Sequence, residues 1–122
     1  MEPAVPSKTA LRVALRRAAH QLYDAHPLVL DDPIAVPILG DTYAEELRRT
    51  PTRPDRPFSV GLRAFMVARS RYAEDNLAQA VAAGVTQYVL LGAGLDTFAH
   101  RNPYSQVRVF EVDHPATQQW KR

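Results

Sequence analysis

Up to residue 83 the apolar positions recur at helical spacing, and beyond it they come in short runs set off by glycine and proline. From Lys8 to about Tyr23 the series Leu11, Ala14, Leu15, Ala18, Ala19, Leu22 predicts an amphipathic helix. Arg12, Arg16 and Arg17 fall on its wet side. Asp32 before Pro33 reads as an N-cap with proline in the first helical position. That places a short helix from Ile34 to Leu39, stopped by Gly40, and a further short one from Tyr43 to Arg49. The proline-rich residues 50–57 exclude helix and central strand and predict a loop. Residues 1–7, with two prolines, predict a mobile tail.

The longest predicted helix runs from about Ser59 to Ala83, with Gly84 as its stop. Its apolar line is Leu62, Phe65, Met66, Tyr72, Ala73, Leu77, Ala80 and Val81. Arg69 and Asn76 fall on that line, while Arg71 falls on the opposite side, beside Glu74 and Asp75. An arginine facing a core needs an anion. For Arg69 that anion is either an acid of the fold or the carboxylate of a ligand, which the planar guanidinium grips bidentately.

Tyr88-Val89-Leu90-Leu91 is an unbroken apolar run, the pattern of a strand buried on both faces of a parallel sheet. It turns on Gly92 and Gly94, residues that allow positive φ and close approach of backbone to a ligand. The third glycine of a dinucleotide fingerprint is absent, since Thr97 stands there, so a loop cradling a ligand without phosphates is favoured. Val107 to Val112 predicts a second strand, ended by Asp113. Asp113 lies 21 residues past Gly92 (113 − 92), near the ~20-residue offset at which an acid meets ribose hydroxyls. Glu111 competes for that role from the same side of the strand, but Asp113 is nearer its end. The structural alternative for Asp113 is a cap on the helix begun by Pro115. Asp96 is expected to cap a short crossing helix, Asn102-Pro103 to turn the chain, and His20 and His114 to fill structure rather than do chemistry.

Gly92-Ala93-Gly94-Leu95-Asp96-Thr97, Glu111-Val112-Asp113-His114-Pro115 and Ala68-Arg69-Ser70-Arg71-Tyr72 together resemble the leucine carboxyl methyltransferase family. These are class I methyltransferases that use S-adenosylmethionine. The Thr9-Ala10-Leu11…Arg17-Ala18-Ala19 opening and Leu30-Asp31-Asp32-Pro33 are similar to its bacterial branch. The resemblance implies an α/β protein: the N-terminal part of a Rossmann-like class I methyltransferase fold, with a helical cap over 1–83 and the first two strands over 84–122. It implies S-adenosylmethionine as cofactor and O-methylation, often at a carboxylate. Arg69 would meet the carboxylate of the methionine moiety, Gly92, Ala93 and Gly94 would pass beneath the cofactor, and Asp113 would hold the ribose. The family domain is more than twice as long, so one incomplete, truncated domain is expected. No catalytic residue is assigned, because a carboxylate acceptor is already ionised at neutral pH and needs no base. The acceptor, a small molecule or a protein carboxylate, does not transfer with the resemblance. A non-catalytic fragment or interaction module with the same partial fold is the rival reading, and Thr97 argues against a nicotinamide-dependent oxidoreductase.

Composition narrows the field a little further. A net charge of +2 is too small to argue for nucleic acid. With no cysteine there is no disulfide, no thiolate nucleophile and no Cys-type metal site. Asp31 and Asp32, without nearby histidine, read as a cap and its neighbour rather than a metal site. No apolar run approaches the ~20 residues of a membrane span, and the first residues lack a secretory pattern. A cytoplasmic protein is expected.

Overall fold

A computed structural model describes residues 5–49 and 57–121. Helix α1 spans Lys8–Tyr23, and Ser7 caps it, its Oγ accepting from Ala10 N at 3.1 Å. A turn over 33–36 leads into a 3-10 helix at Pro37–Leu39 in place of the single helix expected from Ile34. Pro37 lacks the N–H that an α-helix would need there. Asp32 still plays the local part, its Oδ1 accepting from Ile34 N at 3.0 Å. Helix α2 is Asp41–Arg49 and α3 is Pro57–Ala82. Most of the loop expected at 50–57 lies outside the described residues, as do residues 1–4 of the expected tail. Pro57 opens α3, a position where a missing N–H costs no helical bond.

Strand β1, Gln87–Leu91, pairs in parallel with β2, Arg108–Val112, Gln87 opposite Arg108 and Leu91 opposite Val112. A parallel pair needs a crossover, and the short helix α4, Phe98–Arg101, lies within it. The N-cap of α4 is Thr97 rather than the expected Asp96, but Asp96 Oδ1, one position earlier, accepts from Phe98 N at 2.8 Å. Helix α5, Pro115–Lys121, closes the described chain.

The core gathers under α1. Ala14, Ala18, Leu39 and Leu95 are buried together, and Trp120 of α5 packs against them. Trp120 meets Tyr43 edge-on at 6.0 Å and donates its Nε1–H to Ile38 O at 3.3 Å, so the last helix is tied to the first third of the chain.

Three expectations are overturned. Arg17 is not on a wet face: it is 6% exposed, because its guanidinium finds two carboxylates. The apolar line of α3 is rotated. Phe65 and Tyr72 are exposed, Tyr72 at 73%, and Asn76 and Arg69 are exposed too, while Arg63, Val67 and Leu77 are buried. The reason is Arg63, which pairs with Asp24 through Nε and Nη2, the closest contact being 2.7 Å, and so can turn inward. Finally, β1 is covered on one face only. Val89, Leu91, Phe110 and Val112 line the other, with Leu91 80% exposed. Among the described residues no helix is long and apolar enough to cross a membrane.

The Asp24–Arg63 pair makes stability depend on acidity. Hydrogen bonds from Arg63, and more weakly from His20, hold the Asp24 carboxyl below its usual 3.8 despite partial burial. The folded-state pKa is therefore lower than the unfolded one. Its stabilising share is complete above about pH 4 and is lost as pH falls through the folded value. Urea unfolding measured at a series of pH values is expected to show an acid limb that Asp24→Asn flattens. An unaltered limb would place the acid sensitivity elsewhere.

Candidate functional site

The glycine turn joins the end of β1 to the crossover. Gly92 and Gly94 both have positive φ, 61° and 55°, which a side chain would strain. Ala93 N donates to Val112 O at 3.1 Å, fastening the turn to the end of β2. α1 lies directly over this turn: a Cβ on Gly94 would sit 3.3 Å from Ala10 Cβ. Two pressures, dihedral and steric, thus select glycine at 94.

Asp113 follows β2 at the same sheet edge. Its Oδ2 accepts from Gly94 N at 2.5 Å and its Oδ1 from His114 N at 2.6 Å. Those two backbone bonds, His114 first and Gly94 second, hold its carboxyl below 3.8, so it is ionised at neutral pH. Each oxygen keeps a further lone pair for a ligand hydroxyl. The local capping role and a ligand role are therefore compatible. Glu111, the rival on the same strand, is engaged by Lys121 and does not line the cavity described next. His114 is exposed and its Nδ1 accepts from Ala116 N at 3.2 Å, a loop role.

Arg69, Gly92, Ala93, Gly94 and Asp113 all line one cavity of about 390 Å³. That size lies in the range of small-molecule pockets. Ser7 at the cap of α1, with Thr9 and Ala10 within it, forms another part of its wall, and Tyr88 and Leu90 of β1 a third. Arg69 comes to the cavity from the exposed face of α3, not from a buried one. Its guanidinium lies 5.7 Å from the centre of the Phe65 ring, and among the described residues no carboxylate pairs with it. Arg71 points elsewhere, to Asp75 at 2.9 Å, as its side of the helix predicts.

Sequence reasoning missed the polar cluster beneath the turn. Arg17 Nη1 donates to Asp96 Oδ2 at 3.2 Å, and Nη2 lies 3.5 Å from both Asp32 Oδ2 and Thr97 Oγ1. Arg101 grips Glu74 bidentately at 2.6 and 2.7 Å, and its Nε lies 3.3 Å from Asp32 Oδ1. Asp32, only 2% exposed, is shared between the two arginines. Arg17, Glu74 and Asp96 also line the cavity, while Arg17 Nε is buried among protein atoms without a hydrogen-bond partner. One signal was present in the sequence: Arg17 stands beside Ala18 and three residues after Ala14, at the margin of the apolar stripe.

A parallel strand pair with a glycine turn at one strand tip, an acid at the other and a cavity between defines an α/β protein with a cavity at the carboxyl edge of its sheet, where ligands sit in such folds. The chain belongs to the leucine carboxyl methyltransferase family, whose model matches residues 10–122. It is 37% identical over 138 residues to YktD of Bacillus subtilis (strain 168), named as a candidate S-adenosyl-L-methionine-dependent methyltransferase, with 95% of this chain and 45% of that protein covered. Proteins named in the same way from Mycolicibacterium smegmatis and Mycobacteroides abscessus are each 37% identical, over 120 and 115 residues. Those matches cover 94% and 93% of this chain but 40% and 37% of the relatives, so the chain spans less than half the length of the proteins it matches.

Proposed function

We propose that this chain carries the cofactor-binding part of an S-adenosylmethionine-dependent O-methyltransferase, its two strands forming the start of a Rossmann-like sheet. The observation that carries this reading is the convergence of Arg69, the Gly92–Gly94 turn and Asp113 on one cavity, in a chain of this family. The donor set fits the cofactor. The Arg69 guanidinium suits an α-carboxylate, and the Asp113 carboxylate suits a pair of ribose hydroxyls. The glycines leave room for a flat nucleoside beside the turn. When bound, the cofactor supplies an electrophilic methyl on a sulfonium. The residues here orient that end and shelter it from water, and orientation is a large part of what methyl transfer asks of a protein. The acceptor is a carboxylate or hydroxyl of a small molecule or protein, and the setting is cytoplasmic.

A second reading, a non-catalytic interaction module with the same partial fold, draws on the uncovered apolar face of Val89, Leu91, Phe110 and Val112. Calorimetric titration of the chain with S-adenosylmethionine and S-adenosylhomocysteine separates the two. Saturable heat that NADH does not compete away is expected. No heat at millimolar ligand would reject cofactor binding by this chain and leave the module.

A further inference from the structure

The two faces of the sheet have unlike surroundings. Tyr88 and Leu90 of β1 line the cavity, with the Tyr88 ring 5.2 Å from that of Phe98. Side chains alternate along a strand. Val89 and Leu91 therefore point the other way, as do their partners across the ladder, Phe110 and Val112. Leu91 is 80% exposed and the other three are each about half exposed. At the amino end of the same face Gln87 and Arg108 stand opposite each other, both exposed. Among the described residues no carboxylate meets the Arg108 guanidinium. Parallel sheets carry helices on both faces, and here one face lacks them.

The dimensions of the bare face select what covers it. Five residues at ~3.3 Å each make a strip about 16 Å long. Two strands ~4.8 Å apart offer a width that suits the ~10 Å of one α-helix. About eleven helical residues, or three turns, cover that length. A helix that links parallel strands runs back against them, so its C-terminal end falls beside Arg108. The partial negative charge of that end complements the lone guanidinium. A second copy of this chain suits the face poorly. The strip is roughly 160 Å² in plan, against ~800 Å² per partner in a stable interface, and a sheet laid on it brings no helix end to Arg108. A partner that also lays a strand along a free edge of the two-stranded sheet adds main-chain hydrogen bonds to the helix contact.

We infer that the face of Val89, Leu91, Phe110 and Val112 docks a strand–helix unit of polypeptide, of the kind carried by the part of its relatives that this chain does not match. The match leaves more than half of YktD outside it, since 45% of that protein is covered. The docked helix is apolar toward the sheet and ends at Arg108. This does not depend on the cofactor reading, and a chain that binds no nucleoside can still satisfy it.

The test uses the whole chain and, as probe, the part of YktD outside the match, co-expressed with it. A 1:1 complex is expected in sedimentation velocity. Within it the amides of β1 and β2 are expected to exchange hydrogen more slowly than in the chain alone, while those of α2 are unchanged. Leu91→Asp places a charge in the contact and is expected to weaken the complex by about 10-fold or more. It is expected to leave the urea midpoint of the chain alone unchanged, because residue 91 is exposed there. Arg108→Glu is expected to weaken the complex by about 2- to 5-fold, and an unchanged affinity would overturn the assignment of a helix end to that residue. The absence of a complex would overturn the inference, as would a complex that Leu91→Asp leaves intact. Self-association of the chain that Leu91→Asp abolishes would assign the face to a second copy and overturn it too. Should the YktD part not fold beside the chain, the two are joined by a flexible linker and exchange at β1 and β2 decides. Slower exchange supports the docking, and unchanged exchange overturns it.

Discussion

Asp113→Ala is expected to lower the affinity of the chain for S-adenosylhomocysteine by about 10-fold or more, the loss of roughly 1.5–3 kcal/mol that attends removal of a charged hydrogen-bond acceptor. The geometry makes the expectation sharp. Asp113 is the acid at the tip of β2, it is held ionised by the backbone amides of His114 and Gly94, and it lines the same cavity as the glycine turn. Removing it also frees Gly94 N, so the turn keeps only the Ala93 N–Val112 O bond as its tie to the second strand tip. Asp113→Asn keeps an oxygen for one of those amides and is expected to fall between the parent and alanine. Calorimetry reads all three. An alanine variant with parental affinity would move the ribose role away from residue 113. Glu111 is poorly placed to inherit it, since Lys121 already engages its carboxylate.

The second large effect is on stability. Asp32→Ala leaves Arg17 and Arg101 facing each other across Thr97, in side chains 7% and 14% exposed, with their shared carboxylate gone. Breaking a buried ion pair by removing one partner costs about 3–5 kcal/mol, chiefly because a charge is left uncompensated. Against a typical domain stability of about 5–15 kcal/mol this is a large fraction. The urea midpoint is expected to fall steeply with an unchanged slope. Asp32→Asn, whose single oxygen keeps an acceptor for one of Ile34 N and Thr97 Oγ1, should cost less. A loss below about 1 kcal/mol for the alanine variant would show that Asp96 and Glu74 suffice for both arginines.

How much of this could be read from the chain depended on the range of the interaction. The boundaries of α1, β1 and β2 follow from local periodicity and glycine punctuation, and they fall close to where the sequence puts them. The convergence of Arg69, the glycine turn and Asp113 was legible because each belongs to a short motif with a mechanism. The buried ions were not. A polarity pattern sends Arg17 and Arg63 to water, since nothing local announces Asp32, Asp96 or Asp24 as partners. The same blindness rotated the predicted face of α3: Phe65 and Tyr72 stand on the predicted apolar line, yet it is Arg63 that turns inward, toward Asp24. The sheet shows the opposite limit. Val89 and Leu91 are as apolar as a doubly covered strand requires, but an apolar run states what a residue prefers and not what lies against it.

The placement of α1 over the glycine turn bears on how the protein comes to be. Ala10 stands where a Cβ on Gly94 would meet it at 3.3 Å, and Ser7 N donates to Thr117 Oγ1 at 3.2 Å. The first described helix therefore finds its resting place only once the chain as far as Thr117 is in place. Until then its alanine stripe is an open surface, of the kind that nascent-chain chaperones bind, and the cavity it roofs is among the last features to take shape.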